Sequence, residues 1–145
     1  MPYFTEPEEL LDHIYTLIDS NKGTLGIKFV GYADERLLPH YPAVVVSYNV
    51  PITRSLHTTR TYKLEFIVQL EVYHARMTAS HRTRTKEDMQ LAAGIRNKLH
   101  EDYTLGGGVI FGHVLSERPG TIADAKGVAN VATMLIWNGE SRAPY

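Results

Sequence analysis

A chain of 145 residues with 43% hydrophobic and 21% charged residues fits one globular domain, and its formal net charge of −1 excludes the imbalance that marks a disordered chain. Cysteine is absent, which excludes disulfides, thiolate metal sites and cysteine nucleophiles. The N-terminus MPYFTEPEEL carries acids where a signal peptide needs a basic region and an apolar run, and no stretch of ~18 consecutive apolar residues occurs, so the expectation is a protein without a membrane span, made in the cytoplasm.

Thr5 followed three residues later by Glu8 reads as a capping box, with Pro7 in the first turn, and Leu10, Leu11, Ile14, Leu17 and Ile18 recur at helical spacing. This predicts a helix from about Glu6 to Ser20, stopped by Asn21 and Gly23. Ile27 to Tyr32 reads as a short strand, the proline-bearing stretch Leu37 to Pro42 as a loop, and the valine-rich Ala43 to Val50 as a strand ended by Pro51. Ile52 to Thr59 is expected to be a polar, hairpin-like connection reaching into solvent.

RTYKLEFIVQLEVYHA, residues 60 to 75, alternates with a period of two. Tyr62, Leu64, Phe66, Val68, Leu70 and Val72 fall on one face. Lys63, Glu65, Gln69 and Glu71 fall on the other, with Ile67 and Tyr73 as apolar exceptions. From Tyr62 to Tyr73 such a strand spans roughly 40 Å, about twice the usual length. Cross-strand charge pairing accounts better than catalysis for Glu65 and Glu71 on its polar face.

Arg76 to Lys86, RMTASHRTRTK, holds four Lys/Arg and no acid, and reads as a mobile loop. It belongs to a wider imbalance: residues 51 to 86 carry seven Lys/Arg against two acids, a local net of +5 that leaves −6 elsewhere. Arg76, His81, Arg82, Arg84 and Lys86 are therefore the candidates for contact with phosphate or an acidic protein surface. The segment lacks interleaved aromatics and a recognition helix, which argues against sequence-specific nucleic-acid binding. Thr85 is expected to cap a second helix, Lys86 to about Glu101, with Met89, Ala92, Ala93, Ile95 and Leu99 as its apolar stripe. Thr104 to Gly108 reads as a glycine turn, Val109 to Leu115 as a strand, Arg118 to Lys126 as a loop, and Val128 to Trp137 as a strand apolar on both faces. The expectation is one α+β domain over residues 1–145, ordered α-β-β-β-α-β-β, with two helices on a mainly antiparallel sheet.

No enzyme motif is present. The seven histidines have no metal-ligand spacing, and GGGVIFG at Gly106 to Gly112 precedes a strand where a phosphate loop needs a helix. No catalytic residue, metal or cofactor is expected.

Taken together, the N-terminal amphipathic helix, the passage LLPHYPAVVVSYNV, the long RTYKLEFIVQLEVYHA strand, the basic segment, the helix EDMQLAAGIRNKLHED and the closing strands resemble the tail terminator proteins of long-tailed bacteriophages. The resemblance implies a virion protein, assembled in the host cytoplasm, that forms a homo-hexameric ring on the last ring of tail tube protein. Such a ring halts tube polymerisation, meets the head-side connector or stopper protein, and has DNA passing through its channel. On this reading Ile67 and Tyr73 contribute to the subunit interface, and Arg76 to Lys86 lies at the channel or the connector joint. A stopper or tail-completion protein, and more distantly a small α+β ligand-binding domain or enzyme, are the alternatives.

Overall fold

Proline decides where the first helix starts. Pro7 occupies its first position, and the residue before a proline is pushed out of the helical region, so Glu6 is extended at φ −122° and ψ 147° and becomes the N-cap. The expected Thr5–Glu8 capping box therefore does not form, and no side chain caps this end. The computed structural model describes residues 3–32, 40, 42–74, 81–123 and 129–144, with backbone alone for 81–88, 121–123 and 129–131.

The helix, α1 (Pro7–Ser20), leads into a single turn, α2 (Lys22–Leu25), which Gly26 ends in the left-handed region at φ 79°. The strands β1 (Phe29–Tyr32), β2 (Ala43–Val46), β3 (Ile52–Leu56) and β4 (Thr61–Tyr73) follow, then α3 (His81–Glu101), β5 (Phe111–Ala123) and β6 (Ala129–Pro144). The fold is α+β: a six-stranded sheet in the order β1-β2-β4-β6-β5, with β3 also paired to β4. All pairings are antiparallel except β1 with β2.

The length of β4 is explained by its neighbours. One edge pairs with β6 from Thr61↔Pro144 to Tyr73↔Ala132. The other edge is shared: β3 takes Tyr62 to Phe66 and β2 takes Leu70 to Tyr73. Between the two, the five residues 47–51 stand opposite only three, 67–69. The detour is held by Ser47 N–H donating to the Gln69 carbonyl (2.9 Å) and Ile67 N–H donating to the Pro51 carbonyl (3.2 Å). The stretch expected to be a connection, Ile52 to Thr59, is thus mostly strand, closed by a tight turn in which the Thr58 and Thr61 hydroxyls lie 2.8 Å apart.

The alternation of β4 sorts its faces as the period predicts. Leu64, Phe66, Val68, Leu70 and Val72 are buried in one cluster with Leu10, Leu11, Ile14 and Ile18 of α1 and Ile95 and Leu99 of α3. Both long helices therefore cover the same face of the sheet. Trp137 of β6 is fully buried there, its indole lying over Gly139 and Gly112 so closely that neither position has room for a Cβ. Past α3 the chain turns through Leu105, Gly106 and Gly107, three successive positive φ values. Asp102 holds this turn by accepting from the Gly106 N–H (2.9 Å), and it meets His13 Nε2 of α1 at 2.9 Å.

Several boundaries differ from expectation. β5 runs on through the predicted loop to Ala123, because Pro119 lies on an edge strand where its missing N–H breaks no ladder. β6 continues past Trp137 to Pro144. The loop expected over Arg76 to Lys86 is, from His81 onward, the start of α3, and Met89 is exposed instead of joining the apolar stripe.

Candidate functional site: the open sheet face and the basic start of α3

No described helix covers the second face of the sheet. Parity and register assign it the odd positions of β4, the even positions of β6 up to Arg142, and Phe111, His113, Ser116 and Arg118 of β5. It is neither bare nor uniformly polar. At its lower end Ala43, Val45, Tyr73 and Ala132 form a second apolar cluster with Phe29 packed against them. At its upper end a quartet of charges occupies two adjacent rungs.

The register sets Lys63 directly opposite Arg142 and Glu65 directly opposite Glu140, two like-charged pairs that would repel in isolation. The side chains resolve this by reaching along and diagonally. Lys63 Nζ lies 2.9 Å from Glu65 and 3.0 Å from Glu140, while Arg142 reaches Glu140 at 3.1 Å. The hydrogen bonds to Glu65 and then Glu140 hold the Lys63 ammonium above its ordinary 10.5. For Glu140, burial pushes upward, but the hydrogen bonds from Lys63 and Arg142 outweigh it and leave the carboxyl below its ordinary 4.5. The charge-pairing reading holds for Glu65 with Lys63, whereas Glu71 accepts from the Tyr73 hydroxyl at 2.7 Å.

Ile67 stands in the middle of this face, opposite Asn138 and 37% exposed, with its apolar surface turned to solvent. Tyr73 differs. It is only 7% exposed and already packed into the Ala43–Val45–Ala132 cluster, so this chain covers most of the ring that was expected to face a neighbour. The reason is the position of β1 and β2 beside the lower half of β4, a pairing that alternation in β4 alone does not reveal.

Of the basic candidates, His81, Arg82, Arg84 and Lys86 lie on the first two turns of α3. Arg82 and Lys86 are four residues apart and share a helix face. Arg76 lies outside the described residues. A helix delivers these charges as a fixed group, which a loop does not.

One group had no sequence signal. Tyr15 and Tyr32 stack with ring centroids 5.0 Å apart and planes 15° off parallel, and Tyr48 tilts against Tyr32 at 6.3 Å. The Tyr15 hydroxyl donates to the Val30 carbonyl (3.1 Å), and that of Tyr32 to Asp12 of α1 (3.2 Å). Burial, followed by the Asp12 carboxylate, pushes the Tyr32 hydroxyl above its ordinary 10.0 and keeps it a donor. Three tyrosines scattered over thirty-odd residues carry no period; only the antiparallel course of α1 along β1 brings them together.

Among the described residues, no three His, Asp or Glu side chains gather as a metal-binding group, and no helix is long and apolar enough to cross a membrane. His74, fully buried, meets the Thr133 hydroxyl at 2.9 Å. No protein-family model matches the chain, and no curated protein is significantly similar to it.

Proposed function

We propose that this protein is a structural virion component of the tail-terminator kind. It caps the tail tube of a long-tailed phage as a ring of identical subunits, stops tube growth and presents a surface to the head-side connector. The observation that supports this best is the two-faced sheet. One face is sealed by α1 and α3, and the other is left broad and half apolar around Ile67, a surface suited to contact with protein partners. The resemblance in element order points the same way. The basic first turns of α3 supply charge for the channel or the connector joint, where DNA passes.

The test mixes the purified chain with tail tubes and with tube protein still polymerising, and follows tube length and end structure by electron microscopy. Rings on one end of tubes of arrested length support the reading. A chain that stays monomeric and leaves tubes uncapped refutes it. Charge reversal at Arg82 and Arg84 that leaves head-tail joining intact refutes the placement of α3 at the joint.

A further inference from the structure

The tyrosine stack lies at the acidic side of a dipolar molecule. The described residues up to Ser20 include Glu6, Glu8, Glu9, Asp12 and Asp19 and no Lys or Arg, while residues 76–86 hold four Lys/Arg and no acid. Asp12 is exposed, and its carboxylate meets only the Tyr32 hydroxyl, with no cation beside it among the described residues. Tyr48 is 54% exposed. Aromatic faces beside an unpaired carboxylate bind a Lys or Arg head group well, because the ring quadrupole and the anion attract the same charge.

The chain's own basic turns do not reach this surface. His13 of α1 meets Asp102 just past the end of α3, and Leu25 of α2 packs against Gly94, so α3 runs opposite to α1. From Glu101 back to Arg84 is about 25 Å along the helix axis, away from Asp12. The two charged surfaces therefore sit at opposite ends of the helical layer, an arrangement that matches one copy to the next and does not match a copy to itself.

We propose that Tyr32, Tyr48 and Asp12 form a docking surface for a second copy, which presents to it the cationic first turns of α3 around Arg82, Arg84 and Lys86. The contact is heterologous, donor surface to acceptor surface, so it propagates around a ring. It deepens the reading above and rests on it.

The absence of cysteine allows a clean test. A Tyr48→Cys chain is mixed with an Arg84→Cys chain and treated with a short bis-maleimide. A Tyr48→Cys and Leu56→Cys mixture serves as the control pair, since Leu56 is exposed at the far turn of the β3–β4 hairpin. The expected result is a cross-linked heterodimer at least about tenfold more abundant than with the control pair, reduced to the control level when Asp12→Arg is added to the Tyr48→Cys chain. Adding Arg82→Glu to the α3 partner restores cross-linking to Asp12→Arg. Equal yields from both pairs, or no response to Asp12→Arg, overturn the docking surface. If rings still form on tubes in that case, the terminator reading stands and another surface closes the ring; if none form, both readings fall.

Discussion

Gly139→Ala should destabilise this protein, although the same change in an open strand would help it. Alanine is favoured over glycine in strands by roughly 0.5–1 kcal/mol because less chain entropy is lost on folding. At Gly139, however, an added Cβ would sit 2.6 Å from Cζ3 of Trp137 and closer still to Cη2, where carbon atoms at rest keep about 3.5–4.0 Å. The indole is fully buried and is flanked on the neighbouring strand by Gly112, whose own Cβ would lie 2.6 Å from Cε2, so the ring has no free direction to move. Overpacking of this kind costs about 1–3 kcal/mol, and the size of the overlap places Gly139 at the upper end. After the backbone gain, the net loss is about 2 kcal/mol, a fall in Tm of about 4–8 °C for a domain of this size. Thermal and urea unfolding followed by circular dichroism measure it, and the single tryptophan adds a fluorescence signal from the same site. A Trp137→Leu background isolates the cause. That change costs about 3 kcal/mol alone, but with the ring gone Gly139→Ala should become neutral or stabilising, a coupling of about 2 kcal/mol or more. A Gly139→Ala chain as stable as the parent, or one with the same deficit in both backgrounds, would refute the reasoning.

The charge quartet gives a pH signature. Because Glu140 is held below 4.5 in the folded chain, its contribution is full above that value and fades as pH falls through the lowered folded value; Lys63, held above 10.5, contributes fully below that value and loses its share as pH rises through the raised one. Glu140→Gln should therefore cost about 1 kcal/mol near neutrality and nothing in strong acid, as read from urea midpoints across pH. At the start of α1, Thr5→Ala should change stability by less than ~0.3 kcal/mol, since Thr5 is not the cap, whereas Glu6→Asp should gain up to about 1 kcal/mol by capping an unsatisfied end; the same melts decide both. Ile67→Lys should leave the Tm within about 2 °C, being an exposed site, yet prevent ring formation on tubes under the electron microscope.

The parts of the fold that were legible in the sequence are those where one pattern met one environment. β4 alternates cleanly because helices bury one of its faces throughout, and α1 shows its stripe because Leu10, Ile14 and Ile18 all enter the same cluster. Legibility failed where a neighbour supplied the reason. Asn138-Gly139 looks like a turn, yet it continues β6, since glycine is what the Trp137 ring requires at that place. His81 to Thr85 has no apolar stripe, and its helix is an extension of turns anchored farther on by Ala92, Ile95 and Leu99. Of the candidate surfaces, the basic cluster was visible as composition and Ile67 as an exception to alternation. The inward packing of Tyr73 depends on the parallel β1–β2 pair, and the tyrosine stack on the path of α1, neither of which leaves a local mark.

The detour at residues 47–51 constrains how this molecule can vary. It exceeds the segment opposite by two residues, an even number, so β2 and β3 keep the same phase along β4: Val44 and Ile52 both face the helices. Indels there are consequently quantised. A lineage that drops or gains a pair of residues keeps the hairpin's inside and outside, while one that loses a single residue turns β3 over and exchanges Ile52 for Thr53 beneath the helical layer.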